Sequence, residues 1–159
     1  MKLIILFLSV FSLNVTLGQC NCQTKVIYGI ETKICNPSMV GNDDNHQVAL
    51  SLTEAENDVF LIVTVRFRYN AKTIGSDLFI STNSKETLNL KLLDSQKDYV
   101  GGSEICHGKF KISKEDINVL KSQDLAGLRF HFSGEDLYRT FGFKMNEDVA
   151  KKQLKCLNK

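Results

Sequence analysis

The run Val59-Phe60-Leu61-Ile62-Val63-Thr64-Val65-Arg66-Phe67-Arg68 constrains this chain more than any other stretch. Val59, Leu61, Val63, Val65 and Phe67 recur at a period of two, which lines one face of a strand and scatters around a helix. The opposite face, Phe60, Ile62, Thr64, Arg66 and Arg68, turns polar only at its far end. Such a segment belongs in the middle of a sheet, and the rest of the sequence must supply its neighbours.

Candidate neighbours are short and numerous. Val26 to Ile30 is a brief apolar run, and Val48, Leu50 and Leu52 alternate with Ala49 and Ser51 before polar Glu54 to Asp58 turns the chain. Leu78 to Ile80, the alternation Leu88, Leu90, Leu92, and the pair Phe110 and Ile112 read as further strands, with Gly101-Gly102 as a turn. Leu128, Phe130 and Phe132 alternate with Arg129 and His131, and Leu137 to Phe143 alternates again after Ser133-Gly134-Glu135-Asp136. This pattern predicts a hairpin with a four-residue loop, in which Phe132 faces Leu137, Leu128 faces Phe141 and His131 stands opposite Tyr138. Arg139 alone interrupts the apolar face, and a position at the sheet margin would give it a route to water.

Helix signals come late. Ser113 followed by Asp116 forms a capping box for a short helix reaching about residue 121, with Ile117 and Leu120 one turn apart. Asn146 is the expected N-cap of a terminal helix whose stripe is Ala150, Leu154 and Leu157. Many short strands and two late helices predict a mainly β fold, an antiparallel β-sandwich with a helical turn near 113–121 and a C-terminal helix.

Met1-Lys2, the apolar run Leu3 to Phe11, and Thr16 and Gly18 as small residues before a cut read as a signal peptide over 1–18. The apolar run is too short to span a bilayer. Residues 19–159 then form a single domain, periplasmic or secreted. Leu17-Gly18-Gln19-Cys20 also resembles a lipobox, which would place a lipid anchor on Cys20, but Gln19 stands where a small residue is expected. The 20 basic and 18 acidic side chains nearly cancel, so no polyanionic partner such as nucleic acid is implied. With 43% hydrophobic and 24% charged residues and one proline, the composition excludes a disordered tail or linker.

Cys20, Cys22, Cys35, Cys106 and Cys156 all follow the leader, and in an oxidising compartment they should form disulfides. Five cysteines leave one over. The pairing expected here is Cys35 with Cys106, and Cys20 or Cys22 with Cys156, leaving the other member of the CxC pair as a thiol. Thioredoxin-type redox chemistry needs a CxxC at a helix start, and zinc needs a second close ligand pair; neither pattern occurs.

Few residues carry chemistry. Gly41-Asn42-Asp43-Asp44-Asn45-His46 is the densest group of potential ligands, but it lacks the spacing and terminal glutamate of a calcium loop and suits a surface turn. Arg129, His131 and Tyr138 mark a possible surface site on the outer face of the last hairpin. The three histidines are well separated, and no GxSxG elbow accompanies them. No catalytic residue, metal ligand or cofactor is assigned.

Gly108-Lys109-Phe110-Lys111-Ile112-Ser113 and Leu128-Arg129-Phe130-His131-Phe132 before a closing helix, behind a leader ending in Gly-Gln, resemble small exported β-rich proteins of uncharacterised function from Bacteroidetes. The resemblance implies an exported β protein and carries over no site residue. The functional expectation is an exported, non-enzymatic binding or structural protein with a protein or small ligand as partner. The alternatives are a secreted inhibitor of a foreign hydrolase and, third, a ligand- or metal-binding enzyme. An exposed loop with a hydrophobic or charged tip would favour the inhibitor; a deep pocket collecting His131, Tyr138 and Arg139 would favour a ligand-binding or catalytic role.

Overall fold

The computed structural model describes residues 21–159. The expected leader, the lipobox-like stretch and Cys20 lie outside the described residues. The elements are β1 (Cys22–Ile27), β2 (Ile30–Cys35), β3 (Ser38–Asn42), β4 (His46–Ala55), β5 (Asp58–Phe67), β6 (Leu78–Thr82), β7 (Thr87–Leu90), β8 (Leu92–Val100), β9 (Ser103–Ile112), α1 (Lys114–Ser122), β10 (Leu125–Phe130), β11 (Arg139–Gly142) and α2 (Val149–Leu157). Among the described residues a seven-stranded sheet runs β1-β2-β4-β5-β9-β8, with β3 also on β4, and a four-stranded sheet runs β11-β10-β6-β7. The chain is mainly β, its strand pairs are antiparallel, and the two sheets are arranged as a sandwich.

Strand β5 lies between β4 and β9, with Val59, Leu61, Val63, Val65 and Phe67 buried, as its alternation requires. They meet Leu78, Ile80, Leu128, Phe130 and Phe141 of the smaller sheet in one core. Among the described residues no second layer covers the other face of β5, and Phe60 and Ile62 remain half-buried. The Lys109 ammonium lies 4.0 Å from the Phe60 ring centroid and caps it.

The sandwich is joined along both sides. Strands β7 and β8 are separated by Lys91 alone, so the chain passes from one sheet to the other within what reads as a single alternating run. On the opposite side β3 meets β11, where the Lys144 N–H donates to Val40 C=O at 2.9 Å. A Cβ on Gly41 would stand 2.9 Å from the Gly142 carbonyl oxygen, so the seam closes because residue 41 has no side chain.

Helix α1 has the expected capping box: the Asp116 N–H donates to Ser113 Oγ, and the Ser113 N–H to the Asp116 carboxylate. Helix α2 begins later than expected, at Val149, with Asp148 as N-cap. Asn146 has φ +52° and donates from Nδ2 to Met39 C=O at 2.7 Å, so it forms a left-handed turn before the helix.

Three further expectations are corrected. Val26 to Ile30 is the end of a hairpin: Tyr28 and Gly29 have φ +50° and +82°, the pattern of a two-residue type I′ turn. The last hairpin keeps its register, with Leu128 opposite Phe141, but its ladder stops at Phe130 and Arg139. Phe132 pairs with Ile74 instead of Leu137, since the segment around Thr73 to Gly75 takes the backbone bonds of His131 and Ser133. Leu137 is left 78% exposed.

The cysteines pair differently as well. Cys22 and Cys35 face each other across the β1–β2 ladder and are disulfide-bonded. Cys35 cannot reach Cys106, because β4 and β5 lie between β2 and β9, three strand spacings of about 4.8 Å each. Cys156 is disulfide-bonded. Of its two expected partners, Cys22 is engaged with Cys35 and Cys20 is outside the described residues. Among those residues the free thiol is Cys106, buried in the core, and not a member of the CxC pair.

Candidate functional site

The first candidate is the β1–β2 hairpin. Its last rung on the body of the sheet pairs Thr32 with Ala55, so residues 26–31 extend past the end of β4. Val26 is 73% exposed and Tyr28 100%, with Ile27 and Ile30 both at 38%. Ile27 and Ile30 share the last rung on one face of the ribbon, Val26 stands on the other face opposite Glu31, and Tyr28 occupies the turn, so large apolar side chains are exposed on both faces of the tip. Water penalises such exposure. The Cys22–Cys35 bond ties the ribbon at its base, and the type I′ turn matches its twist, so the tip is held in shape before any contact is made. Glu31, Glu54, Glu56 and Lys33 border a shallow recess beside it.

The second candidate is an open polar cleft of about 570 Å³ at the other end of the seven-stranded sheet. The β3–β4 turn (Asp43, Asp44, Asn45), the end of β5 with the residue that follows it (Arg66, Arg68) and the β8–β9 hairpin (Tyr99, Ser103, Glu104) line it. Asp43 organises the turn: Oδ1 accepts the N–H groups of Asn45 and His46 at 2.8 and 2.7 Å, and both carboxylate oxygens lie 3.0 Å from His46 Nδ1. Partial burial works against the charge on Asp43. The His46 ring and these two N–H bonds outweigh it and hold the carboxyl below its ordinary range. The imidazole stacks on Phe132 at 5.3 Å and meets Phe67 edge-on at 5.2 Å, so the turn is pinned to the core.

The third candidate is the group expected from sequence. Arg129, His131 and Tyr138 do come together. The Arg129 guanidinium carbon lies 5.0 Å from the ring centroids of both Phe79 and Tyr138, and His131 meets Tyr138 edge-on at 5.3 Å. Phe79 is the member sequence reading missed; it arrives through β6, which pairs with β10 and places Phe79 beside Arg129. The His131 ring has the Phe132 carbonyl 3.2 Å from Nδ1, and among the described residues no carboxylate or nucleophile is bonded to it. Arg139 points away to Glu135, with Nε 3.1 Å from the carboxylate, and Lys72 binds the same group at 2.9 Å. The recess near this loop is lined by residues 135–139 and includes neither Arg129 nor His131. The Phe79 and Tyr138 rings also meet edge-on at 5.8 Å, so Arg129 lies against the pair of them.

Among the described residues no group of three or more His, Cys, Asp or Glu is placed to hold a metal ion, and no helix is long and apolar enough to cross a membrane. Comparison with protein families, with characterised proteins and with solved structures finds no match for this chain.

Proposed function

We propose that this chain is an exported, non-enzymatic binding protein whose partner is another protein and whose contact element is the β1–β2 hairpin. The observation that carries this reading is the apolar tip, Val26, Ile27, Tyr28 and Ile30, standing clear of the sheet on a disulfide-tied ribbon. Binding energy in protein interfaces concentrates in a few large side chains that fill pockets, with tyrosine prominent among them. A ribbon already fixed in shape loses little conformational entropy on docking. The leader-like start of the sequence and the disulfide both suit an oxidising, extracytoplasmic compartment.

The same tip supports a second reading, inhibition of a foreign hydrolase, because a preorganised apolar projection is the shape that occludes a substrate cleft. Both readings are tested by Tyr28→Asp and Ile27→Asp, with Leu137→Asp as a control on another surface. A partner cross-linked by the wild-type protein should be lost by the two tip variants and kept by the control. Inhibition of a purified secreted hydrolase that follows the same pattern would select the inhibitor. A partner bound equally well by all four proteins would overturn both.

A further inference from the structure

The polar cleft at the far end of the sheet is independent of the hairpin. The hairpin tip extends past Ala55, whereas the cleft opens beside His46, and β4 between them is ten residues long, about 30 Å. We infer that this cleft is a binding site for a neutral oligosaccharide.

The inference rests on what the lining can and cannot satisfy. Three carboxylates, Asp43, Asp44 and Glu104, face two guanidiniums, Arg66 and Arg68. In either state of His46 the lining carries no net positive charge, so it offers an anionic ligand no net attraction. Open polar walls do not suit an apolar small molecule, which needs an enclosed hydrophobic lining. No metal-binding group is present among the described residues.

What the cleft offers is a dense mixture of donors and acceptors. Arg66, near the end of β5, and Arg68, just beyond it, bring guanidinium donors, and neither forms an ion pair with a carboxylate among the described residues, although Arg68 lies 5.4 Å from the Tyr69 ring centroid. Asp44 and the carboxamides of Asn42, Asn45 and Gln47 add acceptors and further donors. Each sugar hydroxyl both donates and accepts, so a row of them matches such a lining where a singly charged or apolar ligand does not.

Two features make the cleft more than a wet surface. Asp43 and His46 fix the β3–β4 turn against Phe132 and Phe67, so its carboxamides are presented on a rigid base. Tyr99, 68% exposed on the edge strand, supplies an aromatic surface on which the C–H face of a pyranose ring can lie.

The test uses isotope-labelled protein titrated with cellohexaose, chitohexaose, maltohexaose and mannohexaose, and with hexagalacturonate as an acidic comparison. At least one neutral hexasaccharide should shift the amide signals of Arg66, Tyr99 and Gly102. Tyr99→Ala, a change at an exposed position, should weaken that binding about tenfold. Tyr28→Asp should leave it unchanged, which separates this site from the hairpin reading. The inference is overturned if none of the neutral sugars binds, if only the acidic one does, or if Tyr99→Ala binds as tightly as the wild type.

Discussion

The side-chain amide of Gln153 stands in for a missing strand against Leu52. Its Oε1 accepts the Leu52 N–H at 2.6 Å, and its Nε2 donates to Asn36 C=O at 3.0 Å. On this edge of β4, β2 pairs with residues 53–55 and β3 with residues 47–50, and the break between β2 and β3 at Asn36-Pro37 leaves Leu52 uncovered. Helix α2 fills the break. A buried N–H left unpaired costs about 1–3 kcal/mol, so the glutamine is a structural part of the sheet.

Gln153→Leu should therefore destabilise the protein by about 2–3 kcal/mol in denaturant unfolding, since it removes both bonds while keeping the volume. Lys152→Ala, one residue away and exposed, should fall within about 0.5 kcal/mol of the wild type. Faster amide exchange at Leu52 in the leucine variant would locate the loss at the gap. Equal stability of the two variants would mean that water replaces the amide there.

Along the last hairpin, the alternation of burial makes neighbouring substitutions diverge. Phe130 is fully buried, 5.2 Å from the Phe132 ring centroid and 5.6 Å from that of Phe141. Phe130→Ala should cost about 3–5 kcal/mol. His131→Ala, half-buried with its ring against Tyr138, should cost less than about 1 kcal/mol. Thermal melts of the pair check the register, and a silent phenylalanine beside a disruptive histidine would contradict it.

What the sequence disclosed follows the range of the interactions involved. The alternation of Val59 to Phe67, the Ser113–Asp116 box and the Leu128–Phe141 register depend on residues near one another in the chain, and each was readable there. Strands β1 and β2 were missed because Tyr28 takes a positive φ that ordinarily calls for Asn, Asp or Gly, so the turn carries no familiar signal. Strand β8 was missed because both of its faces are polar, as an edge strand's often are. The Cys22–Cys35 pairing was hidden with the hairpin that creates it. In the cleft, Asp43 to His46 stood out as a cluster, whereas Arg66, Tyr99 and Glu104 join it only through the pairing of β4, β5, β9 and β8.

The cysteines should separate by reactivity. Burial pushes the Cys106 thiol up from its ordinary range, against the smaller pull of the Ser95 hydroxyl, the backbone at Ile74 and the Lys97 charge. Its peptide should resist alkylation in the native protein and be modified fully in denaturant, as read by mass spectrometry. Replacing Cys22 and Cys35 together by alanine should reduce stability by up to about 3 kcal/mol, the chain-entropy value for a loop of this size. The hairpin should then fray, with its amides exchanging faster than those of β5. Rapid alkylation of Cys106 in the folded state would show that its pocket opens without unfolding.

Two carboxylates give the fold a defined acid limit. The Lys72 ammonium holds Glu135 below its ordinary range, against a smaller effect of burial and with further help from Arg139. Asp43 is lowered as well, by His46 and two backbone N–H groups that outweigh its partial burial. Both groups bind protons less readily folded than unfolded, so their contribution is complete above the unfolded carboxylate range, about pH 4, and fades as pH falls through the lower folded values. Stability measured by denaturant titration should accordingly be flat above about pH 5 and drop below about pH 4. The double variant Asp43→Asn, Glu135→Gln should start less stable at neutral pH and lose less on acidification. Parallel acid limbs in the two proteins would assign the drop to other carboxylates.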